Sequence, residues 1–218
     1  MVKIRKSGIP QQIENARLLI DGALNQPNVL QEVAKMGYPL KEIEKGKEKL
    51  NRVIMLETAK SAKYGLQHSA SVQSNRDHTE AWDRYMYHVK SAQLAFRHDL
   101  SKQKRLELTV PRKRALAGWV TQARYFYQEI QQMTDDFVSI GVTSEELAQA
   151  QAMIEAVAEA KRARKSLAGQ AQQMTQDRNQ ALRELNTWVR KFAKVARIAL
   201  EEQDQLLEGM GLLVRSKG

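Results

Sequence analysis

Cysteine is absent from this chain, and proline, glycine and aromatic residues are scarce. Its 218 residues include no Cys, only 4 Pro and 11 Gly, and 6% aromatic side chains. The lack of cysteine excludes disulfides, thiolate metal sites and cysteine nucleophiles. With so few aromatic residues, a core must consist mainly of Ala, Leu, Ile, Val and Met.

The sequence also lacks a long apolar run. No stretch of about 18 apolar residues is present, so no transmembrane segment is expected. The basic N-terminus is not followed by an apolar stretch long enough for a signal peptide, and a cytoplasmic location is the default expectation. The abundant residues are Ala, Gln, Glu, Lys, Arg and Leu, which favour helices. Together these features predict an all-α protein of long antiparallel helices.

Proline, glycine and small polar residues predict where the helices of the first half begin and end. Pro10 suits the first turn of a helix, and Gly37 suits a left-handed cap at a helix end. Residues 40–105 contain no proline and are too long for one globular helix. The Ser, Asn and Asp residues clustered at 69–77 therefore predict a turn.

The second half follows a similar pattern. Residues 106–114 predict a seam, with Pro111 opening the second half as Pro10 opens the first. Apolar residues from 116 to 140 recur every three and four positions, which predicts one continuous helix. Beyond it, Thr143 and Glu146 three residues later predict a capping box. A further turn is expected at 174–177.

Several landmarks coincide when the chain is shifted by 104 residues. Gly37 then meets Gly141, and Gly65 meets Gly169. Matched glycines are informative because glycine costs about 1 kcal/mol inside a helix. Apolar positions coincide as well, including Ile43 with Leu147, Leu50 with Ile154, Val53 with Val157 and Ala92 with Ala196. The sequence therefore predicts an internal duplication.

The predicted organisation is two tandem three-helix, up-down-up bundle units. It comprises a basic arm at 1–8, a first unit at 9–108, a second at 109–211 and a short tail at 212–218. The two units either pack separately or share one six-helix core, and the sequence leaves both arrangements open. The unit length is similar to that of a spectrin repeat, although Pro111 argues against the helix that such repeats usually share across a seam. No family is indicated.

Catalytic and metal-binding patterns are not evident. His68, His78, His88 and His98 are evenly spaced, but steps of ten residues rotate each one about 80° from the last around a helix. They therefore do not line one face, and no Glu-x-x-His pair occurs. No Gly-rich phosphate loop or nucleophile elbow stands out. We expect no catalytic residues, no metal site and no cofactor, and hence not an enzyme.

Two groups of residues are candidates for binding. The formal net charge is +10, which attracts anionic partners through long-range fields. Six cations gather at the seam and predict an anion-binding patch: Lys102, Lys104, Arg105, Arg112, Lys113 and Arg114. Tyr125 and Tyr127 flank the apolar stripe of their helix. They either pack against a partner helix or are exposed for contact with another protein.

The leading functional hypothesis is a non-enzymatic helical scaffold or adaptor that binds protein partners, or a second copy of itself, through helix faces. The alternative hypothesis is binding of an anionic polymer or surface, such as nucleic acid, through the seam cations.

Overall fold

The structure is a computed structural model that describes residues 8–212. The predicted all-α class is confirmed: no strand occurs between residues 8 and 212. None of the described helices combines the length and apolarity needed to cross a membrane. Apart from Gly8 and Leu212, the predicted arm and tail lie outside the described residues. Residues 8–212 form eight helices: α1 (Ile9–Leu24), α2 (Pro27–Lys35), α3 (Leu40–Ala95), α4 (Leu100–Arg105), α5 (Leu116–Ile130), α6 (Thr134–Val138), α7 (Ser144–Ala199) and α8 (Asp204–Gly209).

Helices α3 and α7 run unbroken for 56 residues each. The turns predicted at 69–77 and 174–177 are therefore wrong. The polar side chains of these segments bond along their own helix: the Ser71 hydroxyl donates to the carbonyl four residues before it at 2.9 Å, and Gln173 donates to Asp177 at 2.8 Å. Such local bonds satisfy small polar groups without interrupting a helix.

The two halves of the chain correspond at the predicted shift of 104 residues. The bounds of α3 and α7 differ by this number, as do those of α4 and α8. Gly37 and Gly141 both adopt left-handed backbone angles, with φ of 83° and 84°. The amide after each glycine donates to a carbonyl five residues back, at 3.0 and 3.1 Å, which is the pattern of a Schellman cap. These matched caps support an internal duplication.

The start of the second half differs from the prediction. Helix α5 begins at Leu116, five residues after Pro111. The reason is the buried side chain of Gln122, whose Oε1 accepts from the backbone N–H of Lys113 at 3.0 Å. This bond holds the chain before α5 out of the helix. The helix predicted over 116–140 also breaks, after Ile130.

A shift of 107 residues relates α1 to α5. Four buried positions then coincide: Ala16 with Ala123, Leu19 with Phe126, Ile20 with Tyr127 and Ala23 with Ile130. The break between α5 and α6 matches the break between α1 and α2, where Pro27 interrupts the apolar pattern. The first two helices of each half thus follow one plan. The predicted capping box at the start of α7 is confirmed, since the Thr143 N–H donates to Glu146 at 3.0 Å and the Glu146 N–H donates to the Thr143 hydroxyl at 3.2 Å.

Replacing the four matched glycines with alanine is expected to change stability in opposite directions at the caps and inside the helices. Gly37→Ala or Gly141→Ala is expected to destabilise the protein by about 1–2 kcal/mol, because alanine is strained at positive φ. Gly65→Ala or Gly169→Ala is expected to stabilise it by about 0.5–1 kcal/mol, because both lie inside helices with open space where a Cβ would be. Urea unfolding measures both effects. Equal signs at caps and helix interiors would contradict the assigned backbone angles.

Contacts divide the chain into two compact units, but not at residue 108. Unit 1 consists of the described parts of Met1–Lys63 and Gln170–Gly218, and unit 2 of Tyr64–Gly169. Each unit therefore takes helices from both halves of the chain. The difference from the predicted 9–108 and 109–211 arises because α3 and α7 do not fold back. The N-terminal and C-terminal parts of each long helix consequently belong to different units.

Unit 1 is built from α1, α2, the start of α3, the end of α7, and α8. Within it α3 and α7 run antiparallel. Arg52 pairs with Glu184 at 3.6 Å and Glu57 with Arg178 at 2.7 Å, so a later residue of α3 meets an earlier residue of α7. Its core is aliphatic except for Trp188 and Phe192. The largest completely buried side chains of this core are Leu19, Ile20, Ile43, Leu50 and Phe192.

Unit 2 has an aromatic core instead. The ring of Tyr85 lies 5.4 Å from that of Phe126 and 6.4 Å from that of Trp119, both edge-on. Edge-to-face contacts of this kind stabilise a core beyond the area that they bury. Most of the few aromatic residues of the chain are concentrated here, so the low overall aromatic content does not describe this unit.

Candidate anion-binding surface

An open groove of about 540 Å³ lies between α3 and α7 of unit 1. Its floor is aromatic, with the ring of Trp188 5.0 Å from Phe192 and 6.1 Å from Tyr38. Three cations line the same groove, one from α3 and two from α7: Lys49, Arg183 and Lys191. The groove therefore combines an aromatic floor with walls that carry these cations and the carboxylates of Glu42 and Glu184.

Glycine on α3 makes room for this floor. A Cβ built on Gly46 would lie 2.4 Å from the Trp188 ring, well inside any allowed contact. At the matched positions of unit 2 this glycine–tryptophan pair is absent, with Ala150 in place of Gly46 and Arg84 in place of Trp188. The groove with its tryptophan floor is thus a feature of unit 1 alone among the matched positions.

Next to the groove, α7 carries a row of cations that we call the basic face: Arg183, Arg190, Lys191, Lys194 and Arg197. Four of them follow one another by seven, four and three residues. These steps return to the same side of a helix, so the four lie within an arc of roughly 60°. The row extends for about 21 Å along the helix axis. Arg197 is half-buried and the others are exposed.

Carboxylates do not neutralise the basic face. Glu184, the single acid between residues 180 and 200, pairs with Arg52 across the groove. Glu42, on the other wall, pairs with Lys45 at 2.7 Å, and this hydrogen bond is the main reason that the pKa of Glu42 is lowered. Within the described part of the chain, no basic-face residue forms an ion pair.

The matched face of α3 in unit 2 is almost uncharged. The residues at the corresponding positions are Thr79, Met86, Tyr87, Lys90 and Gln93, which include one cation instead of five. Because the two helices otherwise correspond in length and capping, the fold itself does not require these charges. The basic face is a property that one half of the chain has and the other half lacks.

The six cations predicted at the seam all lie in unit 2, where three have internal partners. Lys102 pairs with Asp136 at 2.7 Å, Arg105 pairs with Glu129, and Arg112 donates to the Tyr85 hydroxyl at 2.8 Å. For the other three, Lys104, Lys113 and Arg114, the described residues supply no ion pair. The structure thus leaves half of the predicted patch unpaired.

The two candidate tyrosines have different surroundings. Tyr125 is 40% exposed, whereas Tyr127 is buried in the core of unit 2. The Tyr127 hydroxyl lies 2.9 Å from Nδ1 of His88, which is itself completely buried. Tyr127 therefore packs inside its unit, and only Tyr125 is exposed for contact with another protein.

Burial also determines the charge of His88. Desolvation, with a smaller effect from the nearby Arg84 guanidinium, lowers the pKa of His88 to about 4. The imidazole is consequently neutral at neutral pH. Among the described residues, no group of three or more His, Asp or Glu side chains is arranged to hold a metal ion.

The basic face does not stand out in the sequence because its five cations are spread over fifteen residues. The seam cations attracted attention as a cluster along the chain, whereas the α7 cations are separated by up to seven residues. Counting charges by helical position would have found them. Comparison with known proteins adds no further assignment: no family model, curated protein or solved structure matches the chain.

Proposed function

We propose that this protein binds an anionic partner through the basic face of unit 1. The observation that carries the proposal is the group of five cations without carboxylate partners, on a helix face whose matched positions in unit 2 carry a single cation. A cation that is already paired must lose its partner before it binds a phosphate or carboxylate. Unpaired cations do not have this cost, and several on a single helix attract the same anion together.

The proposal moves the anion site from the seam to α7. At the seam, Lys102, Arg105 and Arg112 are engaged in contacts that hold unit 2 together. Binding an anion there would compete with those contacts. On the basic face, by contrast, Arg190 bonds only to its own helix, with its Nε donating to the Asn186 carbonyl at 3.1 Å and its Nη2 to the Thr187 hydroxyl at 3.4 Å.

Three variants that remove equal charge distinguish the sites. Each replaces two lysines and one arginine by glutamine: Arg190, Lys191 and Lys194 on the basic face; Lys104, Lys113 and Arg114 at the seam; and Lys161, Arg164 and Lys165 elsewhere on α7. The first is expected to weaken binding to a labelled polyanion by about tenfold or more at low salt, because charge-assisted contacts to phosphate contribute about 1 kcal/mol each or more. Fluorescence anisotropy measures the binding.

The other two variants serve as controls of matched net charge. Both are expected to change binding by less than threefold, because affinity depends mainly on the cations that contact the phosphates directly. An equal loss in all three variants would mean that net charge alone attracts the polyanion, and a loss confined to the seam variant would restore the patch predicted from sequence. Circular dichroism verifies that each variant keeps its helices.

A scaffold that binds protein partners or a second copy of itself is the other candidate function. Two large apolar side chains at matched positions favour it, since Leu94 is 70% and Ile198 is 61% exposed. Exposed apolar side chains contribute to protein contacts when they form part of a larger patch. Sedimentation at increasing concentration measures self-association. A monomer at all concentrations would leave only unlike partners for this function.

A further inference from the structure

We infer that the anionic partner is double-stranded nucleic acid, contacted through its phosphates; this inference rests on the proposed function. Three features of the basic face lead to it: the spacing of the cations, the rigidity of the helix that carries them, and the scarcity of exposed aromatic or apolar side chains beside them.

The first feature is a straight, dense row of charge. The basic face places four cations in one row along about 21 Å, with Lys191 beside the row. A nucleic-acid duplex carries one negative charge per about 1.7 Å of its axis, counting both strands, so the row lies along the length of roughly six base pairs. A partner with this charge density engages all five cations at once, and a partner with sparse charge does not.

Rigidity is the second feature. The opposite side of α7 is buried in the core of unit 1, with Leu185, Val189 and Ala196 all at 5% exposure or less. The cations therefore project from a backbone that is fixed before binding. A fixed row suits a stiff duplex, whose phosphates are also fixed, because neither side loses much conformational freedom on binding.

The third feature argues against single strands and membranes. Single-strand binding relies on bases that stack on exposed aromatic rings. Of the rings beside the basic face, Trp188 is only 7% exposed, Phe192 is completely buried, and Tyr38 is half-buried against both. Membrane-surface helices insert several apolar side chains. Beside these cations, Ile198 is the one large apolar side chain that is exposed among the described residues.

The test compares four labelled probes on the full chain: a duplex of about 20 base pairs, one of its single strands, polyglutamate, and vesicles with anionic headgroups. Salt is raised from about 50 to about 200 mM. With five phosphate contacts the logarithmic salt slope for the duplex is expected near −4.5, which is a loss of roughly 500-fold in affinity over this range.

The basic-face variant with Arg190, Lys191 and Lys194 changed to Gln sharpens the test. It keeps two contacts, so its slope is expected near −1.8, a loss of roughly 12-fold over the same range. The matched variant at Lys161, Arg164 and Lys165 is expected to keep the full slope. A duplex slope that is the same in both variants would place the contacts elsewhere and overturn the inference.

The probes separate this inference from the proposed function. Binding of vesicles, polyglutamate or single strand more tightly than the duplex, with dependence on the basic face, would overturn the duplex as partner while leaving an anion-binding function in place. Failure of all four probes to bind at low salt would overturn both. Tightest binding to the duplex, lost in the basic-face variant alone, is the expected result.

Discussion

Replacing Gly46 with alanine is expected to destabilise unit 1 by about 1–3 kcal/mol, the usual cost of adding a methyl group to a packed site. The new Cβ would lie 2.4 Å from the Trp188 ring. That ring cannot move aside easily, because it is 7% exposed and packs edge-on against Tyr38 and at a tilt against Phe192. Denaturant unfolding monitored by tryptophan fluorescence measures the change, since Trp188 is the one tryptophan of unit 1 and the other two lie in unit 2.

The effect of Gly46→Ala on stability should change sign when Trp188 is absent. In a Trp188→Ala background the space beside residue 46 is open, so Gly46→Ala is expected to stabilise the helix by about 0.5–1 kcal/mol. Trp188→Ala by itself is expected to cost about 3–5 kcal/mol. This double variant forms a thermodynamic cycle read by circular dichroism. Additive effects would show that the glycine and the ring do not constrain each other.

Acidification is expected to destabilise unit 2 by about 3 kcal/mol between pH 6.5 and 4 through His88. In the unfolded chain its imidazole binds a proton near its ordinary pKa of about 6.5. In the folded protein burial lowers the pKa of His88 to about 4. The unfolded state therefore binds more protons in this window, so stability is complete above about pH 6.5 and is lost as the pH falls towards 4.

The surroundings of His88 make this effect specific. From α3, Arg84 opposes protonation of the imidazole, whereas Glu146 on α7 favours it more weakly. From α5, the Tyr127 hydroxyl bonds Nδ1 and remains un-ionised, because burial raises the pKa of Tyr127. No hydrogen-bond partner is found for Nε2 among the described residues.

Substitution by asparagine isolates the contribution of His88. His88→Asn is expected to flatten the pH dependence between pH 6.5 and 4, because an amide gains no proton there. The control is His68→Asn, the same change at an exposed histidine of the same unit, which is expected to leave the dependence intact. Urea unfolding at several pH values measures the slopes. A slope that persists in His88→Asn would assign the acid sensitivity to carboxylates instead.

Local signals in the sequence were sufficient for the helical class and for several helix caps. The all-α class, the cap at Gly37 and the capping box at Thr143 were all predicted from residues close together in the chain. They are predictable because a helix is held by bonds between residues four apart, and a cap by one or two side chains beside it. The shift of 104 residues followed from the same local landmarks.

Local signals failed where a turn and a continuing helix have similar free energies for the same residues. The Ser, Asn and Asp residues at 69–77 favour turns, but they also bond well along a helix, as Ser71 does. Propensity differences of a few tenths of a kcal/mol per residue do not decide between these states. Packing of the apolar positions on either side decides it, and α3 continues through the segment.

The sequence also did not predict which helices pack against one another. An apolar stripe predicts that a helix packs, but not against which other helix, because burial of apolar surface is not directional. The structure divides α3 and α7 between units, places Tyr127 inside a core, and pairs Lys102, Arg105 and Arg112 with distant residues.

The sequence by itself thus determined the helical class, the caps and the correspondence between the two halves, since these depend on neighbours along the chain. Only the tertiary structure decided which halves of the long helices share a core and which cations remain unpaired. The physical reason is that both depend on contacts between residues far apart in sequence. Arg52 and Glu184 pair across 132 positions, and the basic face is left without carboxylate partners partly because that pair forms.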